Sequence, residues 1–201
     1  MKKFCIIYPA ISSVSSLQPL VKSILGDAKV YSFMDDSFLP EVIAAGGVTD
    51  SVRQRVLLLV QAAALLEPDA ILLTCTAIGD LADDAKTVTN IPVKRIEEKM
   101  CEDAVASGNV IGVAATLSAA IPPISRLLTR IAAEQGKTIE LRECLISDTN
   151  SIPEKLTALK KDCDIVVLAQ PSMAQALAHI NEETDKYLAC TTSGLAQLLD
   201  V

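Results

Sequence analysis

Asp69-Ala-Ile-Leu-Leu-Thr-Cys75 and Asp164-Ile-Val-Val-Leu-Ala-Gln170 follow one pattern: an aspartate, a run of apolar residues, and a polar residue six places on. Short apolar runs bounded by polar residues read as strands buried on both faces. The closing polar residue then stands where the strand leaves the sheet. A second pair supports the repeat. Phe4-Cys-Ile-Ile-Tyr-Pro-Ala-Ile-Ser-Ser13 resembles Val110-Ile-Gly-Val-Ala-Ala-Thr-Leu-Ser118, each a strand running into a small hydroxyl-bearing loop before a helix. The chain reads as a duplication, one half beginning at residue 1 and the other near residue 96.

Other strand-length apolar runs lie at 28–33 and 138–144, and helical stretches separate most of the strands. Val52, Val56, Leu59, Val60 and Ala63 recur at a helical period after the Thr49-Asp-Ser51 start signal. Gly26, Gly108 and Gly136 stand where helices should stop, and Pro122-Pro123 suits a first helical turn. Strands alternating with helices imply parallel βαβ units, an α/β fold.

Composition narrows the function. Half of the 201 residues are hydrophobic and 3% are aromatic, so the core is aliphatic, as in helix-covered parallel sheets. A net charge of −7 opposes nucleic acid as a partner, because phosphate binding needs a basic patch. A small molecule or another protein remains. Cys5, Cys75, Cys101, Cys144, Cys163 and Cys190 form no C-x-x-C pair and no Cys/His grouping, so no metal site is expected. The opening Met1-Lys-Lys-Phe-Cys-Ile-Ile-Tyr-Pro9 is too short a run for a leader or a membrane span. Free thiols in a reducing cytoplasm are the expectation.

In open parallel sheets the ligand sits beyond the carboxyl ends of the strands. Ser12, Ser13, Thr76, Thr116, Ser118, Ser172, Thr191, Thr192 and Ser193 all follow apparent strands there. Any one of them serves equally as a plain helix N-cap. Together, at equivalent points of both halves, they suggest a site for a carboxylate or phosphate at free helix N–H groups. Cys75 ends its strand before a possible helix start, where a thiolate could act as base or nucleophile. The remaining cysteines read mainly as small buried hydrophobes.

Six stretches, in order, resemble the aspartate/glutamate/hydantoin racemase superfamily: Asp35-Asp-Ser-Phe-Leu-Pro-Glu41, Gly46-Gly-Val-Thr-Asp50, Leu73-Thr-Cys-Thr-Ala-Ile-Gly79, Ile91-Pro-Val-Lys-Arg-Ile96, Gly112-Val-Ala-Ala-Thr-Leu117 and Val167-Leu-Ala-Gln-Pro-Ser-Met173. The resemblance implies two pseudo-symmetric α/β lobes, each a four-stranded parallel sheet flanked by helices, with the active site in the cleft between them. Residues 1–95 with a returning 184–201 would form one lobe and 96–183 the other. It also implies proton transfer beside a carboxylate or carbonyl of a small acid, with no cofactor, and often a homodimer.

Family racemases use two cysteines on opposite faces of the substrate. The motifs carry the first onto Cys75 and the second onto Gln170, whose amide neither gains nor loses a proton. Three alternatives stay open. Cys75 works alone in a decarboxylation, elimination or cis–trans isomerisation, with Gln170 donating a hydrogen bond; Cys190 supplies the opposite face; or the protein binds a small acid without turnover. Many members have Asn after the first cysteine, where this chain has Thr76. Thr116 matches a threonine that helps hold the substrate carboxylate, and Ser13, Ser118 and Ser172 are expected to line the site.

For Asp35, Asp36 and Glu41 around Phe38-Leu-Pro40 a general-acid reading competes with an ordinary solvated loop; the loop is preferred and could form part of a lid. Lys94, Arg95, Glu97 and Glu98 read as a structural hinge. Gly46-Gly47 lacks the context of a phosphate cradle and reads as a turn. His179, the single histidine, receives no role.

Overall fold

The structure, a computed structural model, describes residues 1–180 and 184–201; of 171, 172 and 175 only the backbone is described. Two compact units form: Met1–Ile96 with Gly194–Val201, and Glu97–Ser193.

The first unit runs β1 (Lys3–Tyr8), α1 (Ile11–Leu25), β2 (Lys29–Met34), α2 (Phe38–Ala45), α3 (Asp50–Ala64), β3 (Ala70–Leu73), α4 (Leu81–Asp84) and β4 (Val93–Arg95). The second runs α5 (Glu98–Ser107), β5 (Val110–Ala115), α6 (Ile121–Glu134), β6 (Glu140–Leu145), α7 (Ile152–Lys160), β7 (Ile165–Leu168) and β8 (Tyr187–Ala189). Helix α8 (Cys190–Ala196) carries the chain across the boundary back to the first unit. The sheets are ordered β2-β1-β3-β4 and β6-β5-β7-β8, with every pair parallel.

The repeat seen in the sequence is a repeat of register. Phe4 pairs with Ala70 and Ile7 with Leu73, while Ile111 pairs with Ile165 and Ala114 with Leu168. The aspartate opening each copy explains why it stands there. The Lys3 N–H donates to Asp69 Oδ2 at 2.7 Å, and the N–H groups of Asn109 and Val110 each donate to Asp164 Oδ2 at 2.9 Å. These amides lie at the start of the neighbouring central strand, so each aspartate fixes the start of a strand pair. The central strands are buried almost throughout, as their unbroken apolar runs require. Strands β2 and β6 lie at sheet edges and are mostly exposed.

Two expectations need correction and one is refined. Residues 184–193 stay with the second unit, because Tyr187, Leu188 and Ala189 pair with Val166, Val167 and Leu168; the return to the first unit begins at Gly194. A Cβ on Gly194 would come 2.1 Å from the Ile96 carbonyl oxygen, so a glycine is needed where the return packs on the end of β4. Second, the stretch read as a hinge does span the unit boundary, between Ile96 and Glu97, but its first part, Val93–Arg95, is an edge strand.

Third, the 35–41 segment is only in part a solvated loop: Asp36 and Ser37 are exposed, but a helix begins at Phe38. Phe38 and Val42 are fully buried as α2 begins, and Arg55 of α3 pairs with both Asp35, at 2.9 Å, and Glu41. Thr49 donates to Glu41, and Arg55 also bonds Ser37. Burial would raise the Asp35 carboxyl, but the Ser37 hydroxyl and N–H and the Arg55 guanidinium outweigh it and hold it below the ordinary range.

Candidate functional site

At the carboxyl edge of the first sheet, β3 continues into Thr74. Its N–H and hydroxyl both donate to the Ile7 carbonyl, at 3.1 and 2.9 Å, so the end of β3 is tied to β1. Cys75 follows in extended conformation and caps a 3-10 turn, Thr76–Ile78, whose Ile78 N–H donates back to the Cys75 carbonyl at 3.1 Å. The thiol is followed by this three-residue turn and then, past Gly79 and Asp80, by the four-residue α4. Cys75 is 7% exposed.

Thr76 is 3% exposed, and its hydroxyl has no hydrogen-bond partner among the described residues. A buried hydroxyl left unmade carries a penalty of about 1–3 kcal/mol. An ordered water or a polar group of a ligand would supply the partner.

The loop beyond Cys75 is braced by a pair that the sequence reading did not connect. Arg95, at the end of β4 and 3% exposed, donates to Asp80 Oδ1 at 2.8 Å. The Arg95 carbonyl in turn accepts from Gln197 Nε2 at 3.0 Å, and that amide also donates to the Gly194 carbonyl at 2.9 Å. Tyr8, at the carboxyl end of β1, was not singled out either. It is 2% exposed, and burial raises its phenol above the ordinary value against the opposing Ser32 hydrogen bond, so it stays neutral.

In the second unit, Gln170 stands at the equivalent point, extended and capping the 3-10 stretch Pro171–His179. Its Oε1 accepts from the Thr116 N–H at 2.6 Å, the Thr116 hydroxyl at 3.0 Å and the Leu117 N–H at 3.2 Å. Two of these donors are backbone amides, so the oxygen end of the side chain must face them. The NH2 end therefore points away from the clasp, with two donors to offer. Thr116 is half-buried and Ser118 exposed at the start of a 3-10 turn.

Ser13 is half-buried in the first turn of α1 rather than ahead of the helix. The Ser172 side chain lies outside the described residues. Cys190 is the first residue of α8, with no exposed surface; burial pushes its thiol well up, and the Glu97 carboxylate pushes it further, so it is held neutral. Among the described residues no group of His, Cys, Asp and Glu could hold a metal ion, and no helix is long and apolar enough to cross a membrane.

The model of the Asp/Glu/hydantoin racemase family matches residues 9–198. No match is found among curated protein sequences. Solved structures match over essentially the whole chain. Allantoin racemase from Klebsiella pneumoniae is 14% identical with a TM-score of 0.73, covering 100% of this chain and 87% of that one. Glutamate racemase from Bacillus anthracis is 12% identical with a TM-score of 0.72, covering 99% and 80%. Glutamate racemase from Francisella tularensis, in complex with D-glutamate, is 17% identical with a TM-score of 0.70, covering 99% and 80%.

Proposed function

The chain belongs to the Asp/Glu/hydantoin racemase family, and from that premise we propose that it is a cofactor-independent enzyme moving a proton at the carbon beside the carboxylate of a small acid. Cys75 is the base. Its thiolate takes the α-proton, leaving an enediolate and a neutral thiol, and the same thiol returns the proton or delivers it to a neighbouring carbon. The Gln170 NH2 donates to an oxygen on which charge develops. Thr76 and Thr116, with Ser13, Ser118 and Ser172 beside them, position the substrate.

The observation carrying this reading is the equivalence of Cys75 and Gln170. They end the same strand of the two units, one offering a sulfur, the other an amide turned NH2 outward. The fold relatives bear the names of glutamate and allantoin racemases, and both of those molecules carry an exchangeable proton beside a carbonyl carbon.

Exchange of the α-proton in deuterated water, screened over small dicarboxylates and amino acids, tests the proposal. Exchange with retention of configuration is expected, because Gln170 cannot shuttle a proton and Cys190 has no exposed surface. Cys75→Ala should slow exchange by about 10²–10⁴-fold. Exchange with loss of optical activity would overturn the one-base version and make Cys190→Ser the next variant to measure.

The lack of a second thiol at the position of Gln170 also favours a second reading, a protein that binds a small acid and turns nothing over. A dicarboxylate that protects Cys75 from iodoacetamide without any exchange would identify it.

A further inference from the structure

The duplication supplies an internal control for the sheet edges. Strands β2 and β6 are equivalent six-residue edges with the same exposure pattern, but β2 reads Lys29-Val-Tyr-Ser-Phe-Met34 and β6 reads Glu140-Leu-Arg-Glu-Cys-Leu145. The other two edges, β4 and β8, are three residues long. Short or charged edges are how proteins keep sheets from pairing with other chains. Strand β2 has neither protection: Tyr31 is 41% and Met34 39% exposed, and Lys29 is its sole charged residue.

Hydrogen bonding fixes which groups β2 presents. The Lys29 N–H donates to the Lys2 carbonyl at 2.9 Å and the Asp35 N–H to the Tyr8 carbonyl at 3.4 Å, so the odd-numbered amides face β1. By the two-residue period of a strand, the N–H and C=O groups of Val30, Ser32 and Met34 face the open edge.

We propose that β2 is a dimerisation edge, at which two copies of this chain pair antiparallel about a two-fold axis through Ser32. In that register Ser32 meets Ser32 and Val30 meets Met34 as hydrogen-bonded pairs, so all three outward-facing residues of each strand are satisfied. On the intervening positions Tyr31 meets Phe33, and Lys29 stands opposite Asp35 of the second copy, whose carboxylate also holds Arg55 and Ser37. Shifting the centre by one residue to either side along the strand loses a hydrogen-bonded pair and the Lys29–Asp35 match. The two-fold contact is self-complementary and closes at two copies.

The same pairing is blocked in the second unit. Register equivalence places Glu143 where the first unit has Ser32, since Lys29 pairs with Lys3 as Glu140 pairs with Val110. A two-fold through Glu143 would set two carboxylates directly opposite, which is destabilising. The proposal rests on none of the catalytic reading above.

Sedimentation velocity on the intact chain tests it. The wild type should run at twice the 21.3 kDa chain mass. Ser32→Glu, which copies the blocked edge, should raise the dimer dissociation constant by at least about tenfold. Ser32→Ala removes the Tyr8 hydrogen bond without adding charge and should remain dimeric. Ser32→Cys should give a covalent dimer on mild oxidation where wild type does not, because hydrogen-bonded antiparallel pairs and disulfides share a Cα separation of about 5.5 Å. A monomeric wild type, a mass above the dimer, or a dimer unmoved by Ser32→Glu would each overturn the proposal. Should Ser32→Glu fail to fold, absence of the Ser32→Cys cross-link overturns it alone.

Discussion

The carboxyl edges of the two sheets are built on one plan and finished differently. Both central pairs are started by an aspartate that accepts from a neighbouring strand's amides, and both end in an extended residue capping a 3-10 turn. In the second unit that last residue is clasped: Gln170 Oε1 accepts three hydrogen bonds from Thr116 and Leu117. In the first unit Thr76 keeps a buried hydroxyl with no partner among the described residues, beside a thiol. The second edge closes on itself at this point, whereas the first leaves a hydroxyl unclaimed by the described residues.

The largest expected effect tests that division directly. Gln170→Leu leaves two backbone amides and a hydroxyl without their acceptor, and the half-buried site should lose about 2–3 kcal/mol of stability in urea unfolding. Cys75→Ala, at the equivalent position, should cost under about 1.5 kcal/mol, since it trims one small atom group. Gln170→Glu keeps the acceptor while replacing the outward NH2 by an oxygen anion. It should fold near wild-type stability yet bind carboxylates at least about tenfold more weakly, a loss of about 1.4 kcal/mol. Equal stability losses at the two positions would remove the distinction.

The same division marks what the sequence could disclose. The strands, their alternation with helices and the equivalence of residues 75 and 170 were legible, because apolar runs and the repeated aspartate are local patterns. Val93–Arg95 was not: a three-residue edge strand containing two charges, after Pro92, looks like a linker. The Gln170 clasp was out of reach, since its donors come from a loop more than fifty residues earlier in the chain and two of them are backbone amides with no residue signature. Arg55 gathers Asp35 and Glu41 from other elements, so an acidic cluster read alone looked solvated. The state of Thr76 was equally hidden, because an unmade hydrogen bond is visible only once its surroundings are.

Two threonines sharpen the comparison at smaller amplitude. Thr76→Val removes a hydroxyl that has no partner to lose and fills the same volume, so stability should hold or rise by up to about 1 kcal/mol. Thr116→Val removes a hydroxyl bonded to Gln170 and should lower stability by about 1 kcal/mol. If Thr76 serves a bound acid, Thr76→Val weakens carboxylate protection of Cys75 while the melting temperature stays put. A clear drop in stability would mean that its hydroxyl is engaged by the fold.

The smallest effect lies at the opposite, amino end of the sheets. Hydrogen bonds from the Val110 and Asn109 amides hold the Asp164 carboxyl below its ordinary value, burial opposing them weakly. The folded state therefore binds this proton less readily than the unfolded chain. The group's contribution is fully present above the unfolded carboxyl value, near pH 3.9, and is lost as pH falls through the lower folded value. Asp164→Asn keeps a carbonyl acceptor for one amide and cannot titrate, so it should lower stability at neutral pH and flatten the acid side of the stability curve. Urea unfolding at a series of pH values from neutral to acid compares the two slopes. Parallel curves would mean that the repeated aspartate sets the strand register without contributing to the acid sensitivity of the fold.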